Sequence, residues 1–108
     1  MSSIVIRNVS VVNEGDIFTA DVFIENSRIS KVSKKRIENH FDTEINGTGL
    51  HLIPGMIDDQ VHFREPGLTH KATIMSESKA AIAGGITSFM EMPNTIPNTT
   101  TQELLEEK

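Results

Sequence analysis

The chain has 108 residues, of which 37% are hydrophobic and 23% charged, a composition typical of one small globular protein. Its net charge of -5 argues against nucleic acid as a partner. The absence of cysteine excludes disulfides and thiolate metal sites and fits a reducing compartment. No apolar run approaches the ~18 residues of a membrane span, and the N-terminus lacks the pattern of a signal peptide.

The first half of the chain, residues 1–53, reads as a series of short β-strands. Its apolar residues are mostly β-branched, and clusters of Asn, Gly, Ser and charged residues separate the apolar runs. We expect a small antiparallel sheet that carries little catalytic chemistry. The predicted strands cover residues 4–12, 17–24, 28–32, 44–46 and 50–53.

The stretch that carries chemistry follows Pro54 and Gly55. Residues 56–63 have the character of a buried strand, in which Asp58, Gln60 and His62 occupy alternate positions and should share one face. Polar side chains on an otherwise apolar strand cost free energy unless they have partners. A metal, a substrate or a hydrogen-bond network would supply such partners.

The apolar period then changes to that of a helix. Residues 72–83 predict a helix ended by two glycines, residues 86–92 predict a strand ended by proline, and a second helix begins at residue 102. This alternation predicts parallel strands with crossover helices. Arg64 and Asn94 each follow a strand, where α/β folds place their sites.

A closed (β/α)8 barrel needs roughly 250 residues. Two βα units are therefore too few, and we expect residues 54–108 to be the start of a truncated barrel. The chain would then be the N-terminal piece of a longer protein, with an open sheet edge that makes a homodimer possible.

Four motifs in order carry a resemblance to a known family. They are Pro-Gly-Met-Ile-Asp at 54–58, Val-His-Phe-Arg-Glu-Pro-Gly at 61–67, Ala-Gly-Gly-Ile-Thr at 83–87 and Met-Pro-Asn-Thr at 92–95. Together they resemble the amidohydrolase superfamily and, within it, the dihydroorotases with Arg-Glu-Pro-Gly and Met-Pro-Asn-Thr motifs. The likeness is strong from residue 54 onward and looser before it.

The resemblance implies an α/β fold in which a small antiparallel β-sandwich, residues 1–53, precedes the first βα units of a TIM-like barrel, residues 54–108. It implies a cytoplasmic enzyme of pyrimidine biosynthesis that reversibly hydrolyses dihydroorotate, a small molecule, to N-carbamoyl-L-aspartate. The implied cofactor is zinc, one or two ions, which would activate water and polarise the amide carbonyl.

The resemblance also assigns roles to residues. His62 corresponds to the second histidine of a metal-binding His-x-His pair beside the substrate, and Arg64 and Asn94 correspond to residues that hold the substrate carboxylate. Asp58 would orient His62 as a carboxylate behind the ligand. The catalytic aspartate and the remaining metal ligands would lie beyond residue 108, so no catalytic acid or base is assigned here and the chain alone should be inactive.

Gln60 departs from the family pattern, which has the first histidine of the pair at this position. An amide oxygen is a weaker zinc ligand than imidazole. Three interpretations are open: Gln60 is a ligand of a weakened site, one metal suffices, or Asp58 or Asp59 compensates. Strict alternation would direct Asp59 to the opposite face, which makes its help less expected.

Other readings compete with the assigned roles. His62 could be a core histidine, Arg64 a partner of Glu65 and Asn94 an ordinary turn residue. The function could be that of a related cyclic amidase, such as allantoinase or dihydropyrimidinase, although those families differ at the Arg64 or the Asn94 position. A non-catalytic scaffold that has lost its metal is the third hypothesis, and Gln60 is the feature that favours it.

Overall fold

The computed structural model of the protein describes residues 2–108, which divide into two compact units that meet between Pro54 and Gly55. No helix within residues 2–108 has the length and apolar character needed to cross a membrane. The strands are β1 (Ser3–Asn13), β2 (Asp16–Glu25), β3 (Arg28–Ser33), β4 (Thr43–Asn46), β5 (His51–Leu52), β6 (Met56–Val61) and β7 (Ile86–Glu91), and the helices are α1 (Ile74–Ala83) and α2 (Gln102–Glu107).

The first unit is a small, β-sandwich-like sheet with the order β3-β2-β1-β4, and β5 pairs with another part of β1. Two hairpins join β1, β2 and β3 in antiparallel fashion. Glu14 and Gly15 in the first turn, and Asn26 and Ser27 in the second, all have positive φ, as tight hairpin turns require. The core residues of this unit are Val5, Val9, Ala20, Val22 and Ile37.

The expectation of a wholly antiparallel sheet is wrong for β4 and β5, which both run parallel to β1. A parallel neighbour needs a connection that returns the chain to the starting end of the sheet. Residues 34–42 supply that connection, and Ile37 within it is buried with only 4% of its surface exposed. The sequence pattern shows strand character in β4 and β5 but carries no signal for their direction.

A buried ion pair holds the centre of this unit, where a bulge interrupts β1 after Ile6. Arg7 donates to Asp21 at 2.7 Å, to the carbonyl oxygen of Ile37 at 2.8 Å and to Glu44 at 2.9 Å. Glu44 and Asp21 raise the pKa of Arg7 above its ordinary value. Burial alone would raise the pKa of Asp21, but hydrogen bonds from the Asn8 and Ile37 amides and from Arg7 outweigh it, so the pKa lies below its ordinary value.

The second unit is a βαβ arrangement followed by a short helix. β6 and β7 pair in parallel, and α1 connects them, which confirms the predicted alternation of strand, helix, strand and helix. Thr73 is the N-cap residue of α1, and its side chain accepts from the Ser76 backbone amide in a capping box. Gly85, just past the helix, has a φ of +87° and starts the turn into β7.

The two-stranded sheet of this unit leaves much apolar surface uncovered. Met56 is 61% exposed, Ile57 65% and Met90 61%, and α1 has no buried residue. Val61, Phe63 and Thr95 are the buried residues, and all three belong to the end of the unit where β6 and β7 finish. The packed part of the second unit therefore surrounds the loops that follow these strands.

Candidate functional site

The candidate site lies at the carboxyl ends of β6 and β7, which are neighbours because the two strands are parallel. β6 ends at Val61 and β7 at Glu91, and the Met92 amide donates to the Val61 carbonyl at 2.9 Å. The two loops that follow carry His62 and Arg64 on one side and Asn94 on the other. This is the edge at which parallel α/β sheets position polar side chains for binding and catalysis.

His62 and Asn94 are in direct contact. The Nδ1 atom of His62 lies 3.0 Å from the Oδ1 atom of Asn94, although 32 positions separate the two residues in the chain. Both side chains are exposed, so the pair can meet a ligand from solvent. The structure thus brings two of the sequence-predicted site residues together through a bond that the sequence did not indicate.

Arg64 has a backbone conformation that is rare for a residue with a side chain. Its φ is +69°, in the left-handed region, and its carbonyl accepts from the Leu68 amide at 3.1 Å. None of the ion pairs among residues 2–108 involves Arg64. The alternative of a pair with Glu65 is not observed, because the Glu65 carboxylate instead accepts from the Ile74 amide at 2.8 Å.

Several residues that the sequence pattern did not indicate build the site without taking part in its predicted chemistry. Glu65 holds the start of α1, and the Ile96 amide donates to the Pro66 carbonyl at 3.1 Å, which joins the two loops. Gly67 packs so closely on Ile96 that a Cβ atom would overlap the Ile96 carbonyl oxygen. The loops that carry the Arg-Glu-Pro-Gly and Met-Pro-Asn-Thr motifs are therefore in direct contact.

Thr95 is the buried centre of the second loop, with 2% of its surface exposed. Its hydroxyl lies 2.8 Å from the Pro97 carbonyl, to which it donates, and 3.0 Å from the Thr99 hydroxyl. These bonds satisfy a polar group that burial would otherwise penalise. They also fix the loop directly after Asn94.

Glu91, the last residue of β7, is also part of the scaffold. Its carboxylate accepts from the Phe63 amide at 3.1 Å and forms an ion pair with Lys108. The side chains of Glu91 and Lys108 are 9% and 10% exposed. Since Phe63 lies between His62 and Arg64, the Glu91 carboxylate anchors the backbone that carries both residues.

The part of β6 that carries Asp58 and Gln60 is irregular. The pairing with β7 shifts register between Asp58 and Val61, so Asp59 and Gln60 lie in an irregular part of the strand. The Oδ1 atom of Asp58 accepts a hydrogen bond from the backbone N–H of Gln60 at 3.0 Å. His62 has Asn94 as its hydrogen-bonded partner. The Asp58 side chain instead bonds to the backbone of its own strand, β6.

A zinc site needs three or four ligands, and residues 2–108 contain no group of three or more His, Asp or Glu side chains able to hold a metal ion. His62 fits as one ligand, because its Nδ1 atom is engaged by Asn94 and its Nε2 atom remains for coordination. Gln60 could add a neutral oxygen. The described residues fit one side of a metal site but do not complete it.

Comparisons with known proteins identify the family to which the chain is similar. The family model described as Dihydro-orotase-like matches residues 49–107. A dihydroorotase of Carboxydothermus hydrogenoformans is 48% identical over 83% of this chain and 21% of its own length. A dihydroorotase of Methanosarcina acetivorans is 39% identical over all of this chain and 23% of its own length.

Among solved structures, the L-hydantoinase (dihydropyrimidinase) of Arthrobacter aurescens matches the whole chain with a TM-score of 0.91 and 29% identity, over 24% of that protein. The chain therefore spans about a quarter of the length of the proteins that it matches. The sequence relatives are named dihydroorotases, whereas this solved structure is a hydantoinase. The choice between these two activities therefore depends on the site residues.

Proposed function

Since this chain belongs to the dihydroorotase-like family, we propose that it supplies the first part of a dihydroorotase site. The reaction would be the reversible hydrolysis of dihydroorotate to N-carbamoyl-L-aspartate. The observation that carries this proposal is the grouping of His62, Arg64 and Asn94 on two adjoining loops at the carboxyl ends of parallel strands. Pyrimidine biosynthesis as the pathway and the cytoplasm as the location remain predictions of the resemblance.

Arg64 is the residue that we assign to the substrate carboxylate. A guanidinium presents paired N–H donors in the geometry of a carboxylate and stays charged at every physiological pH. The Arg64 guanidinium is free of ion pairs with other residues of the described part of the chain, so its charge is available to a ligand. Asn94 would add a neutral N–H donor from its amide to the same carboxylate.

His62 is the residue that we assign to metal binding through its Nε2 atom. A zinc ion held there would lower the pKa of its bound water to ~7 and polarise the amide carbonyl. Further ligands would come from sequence beyond these 108 residues, with Gln60 as a weak additional donor. We therefore expect no turnover from the 108-residue chain alone.

A second candidate function is that of a hydantoinase, which the fold match with a TM-score of 0.91 favours. Two chimeras would separate the candidates. In one, this chain replaces the matched 23% of the Methanosarcina dihydroorotase, and in the other the matched 24% of the Arthrobacter L-hydantoinase. We expect the first chimera to hydrolyse dihydroorotate and the second to lose its action on hydantoins, because Arg64 and Asn94 suit a carboxylate.

The matched control is His62→Ala in the dihydroorotase chimera, which should lower kcat/KM by more than ~100-fold, beyond the loss typical of an outer partner of a metal ligand. Turnover only in the hydantoinase chimera would overturn the assignment in favour of the second candidate. A dihydroorotase chimera that folds but holds no zinc and shows no turnover would instead support the non-catalytic scaffold.

A further inference from the structure

The hydrogen bond between His62 and Asn94 constrains the protonation of the imidazole. An amide oxygen can only accept a hydrogen bond, so the contact of 3.0 Å between His62 Nδ1 and Asn94 Oδ1 is a hydrogen bond only when Nδ1 carries the proton. In the neutral ring the Nε2 atom then carries the lone pair. The contact is therefore a hydrogen bond in only one of the two neutral tautomers of His62.

We propose that Asn94 is a positioning residue that holds His62 as the Nδ1–H tautomer and thereby keeps its Nε2 atom ready to bind a metal. The proposal rests on the proposed function in one respect only, namely that the Nε2 atom of His62 faces a metal ion. It adds a task to Asn94 that the resemblance does not assign, since the resemblance gives Asn94 to the substrate carboxylate alone. The selection of the tautomer is a property of the chain itself.

The scaffold on both sides of the pair supports a fixed geometry. The Phe63 amide donates to Glu91 at 3.1 Å and the Met92 amide donates to Val61 at 2.9 Å, so the strand ends are joined next to His62. On the other side, buried Thr95 follows Asn94 directly and anchors its loop through the Pro97 carbonyl. Side chains that are already held in place lose less conformational freedom when they bind a metal ion.

The two ends of the Asn94 amide would then have different partners. The oxygen accepts from His62, while the amide nitrogen donates to no other residue within positions 2–108. Its N–H groups are therefore available to an anionic group of the substrate. One neutral side chain would connect the metal ligand to the group that recognises the substrate.

The test is nitrogen-15 NMR of the imidazole rings in the 108-residue chain, at a pH of about 9, well above the ordinary imidazole pKa of ~6.5. The chain has four histidines, and His40, His51 and His70 are exposed and serve as internal references. We expect His62 to be predominantly protonated on Nδ1, unlike the three references. Assignment of its signals follows from their loss in His62→Gln.

Two variants of Asn94 separate its functions. Asn94→Asp keeps an accepting oxygen and should preserve the Nδ1–H tautomer, whereas Asn94→Ala should shift His62 to the tautomer of the reference histidines. In the dihydroorotase chimera, Asn94→Ala should weaken zinc affinity about 10–100-fold in a chelator competition. Asn94→Asp should retain zinc affinity and raise KM, because it cannot donate to a carboxylate.

A wild-type His62 protonated on Nε2, or a tautomer that does not change in Asn94→Ala, would overturn the proposal. If Asn94→Ala fails to fold, the wild-type spectrum and Asn94→Asp still decide it, since loss of the Nδ1–H form in either contradicts the assignment. The NMR result is independent of activity, so an inactive chimera with an Nδ1–H His62 would reject the proposed function and leave this inference standing.

Discussion

Arg64 combines a side chain suited to carboxylate binding with a backbone conformation that opposes stability. A residue with a Cβ atom in the left-handed region costs roughly 1–2 kcal/mol, and the φ of Arg64 is +69°. Such conformations persist where surrounding contacts enforce them, and they concentrate at functional sites. The Arg64 carbonyl and the backbone amide of the preceding residue, Phe63, are both hydrogen bonded. These two bonds fix the backbone at Arg64.

Because of this strain, we predict that the second unit is more stable in Arg64→Gly than in Arg64→Ala, although both variants lack the guanidinium. Glycine adopts positive φ without steric cost, and after its own entropy loss we expect a gain of about 0.5–1 kcal/mol over Arg64→Ala. Native-state hydrogen exchange of β6 and β7 amides in the 108-residue chain measures the effect on this unit alone. Equal protection in the glycine and alanine variants would show that the backbone carries no such strain.

At the same scale, the sequence predicted which residues meet but not how they bond. Arg64 and Asn94 were predicted because polar residues after parallel strands converge on one edge of a sheet. His62 was predicted from the alternation of its strand and from the family resemblance. The bond between His62 and Asn94 depends on the relative positions of two loops, which the sequence pattern does not specify. Asp58 and Gln60 were interpreted by strict alternation, and an irregularity in β6 removes the basis for that interpretation.

At the scale of elements, the site depends on two loops that contact each other directly. The Pro66 carbonyl and the Ile96 amide are hydrogen bonded, and Gly67 packs directly on the Ile96 backbone. The glycines were recognised in the sequence as turn signals, but their neighbours in space could not be known. The role of Gly67 is therefore both conformational and steric.

Replacing Gly67 by alanine separates these two roles when Gly85 is used as the control. Both glycines have positive φ, +79° for Gly67 and +87° for Gly85, but a Cβ atom at Gly85 would meet nothing within 4 Å. Gly85→Ala should cost about 1–2 kcal/mol for conformation alone, and Gly67→Ala about 1–3 kcal/mol more for overpacking. Urea denaturation measures both, and equal losses would rule out the steric role.

At the scale of the whole molecule, the order and type of the elements were predicted well from apolar periodicity. The strand directions in the first unit were only partly correct, because β4 and β5 are short and their pairing with β1 is set by the connections around them. The two parallel strands of the second unit were predicted correctly from their alternation with helices. Closure into a TIM-like barrel stays a prediction.

The second unit exposes apolar residues on both of its strands. Ile57 and Met90 are 65% and 61% exposed, and the strands that carry them pair only with each other within residues 2–108. In a closed barrel, strands and helices on both sides would cover such residues. The same surface would make a homodimer possible for the isolated chain.

The most direct measurement of the central claim is a crystal structure of the dihydroorotase chimera with zinc and N-carbamoyl-L-aspartate, using anomalous scattering to locate the metal. We predict a zinc ion ~2.1 Å from His62 Nε2, with the Arg64 guanidinium and the Asn94 amide nitrogen both donating to the ligand carboxylate. A metal bound without His62, or a carboxylate held by neither Arg64 nor Asn94, would contradict the account.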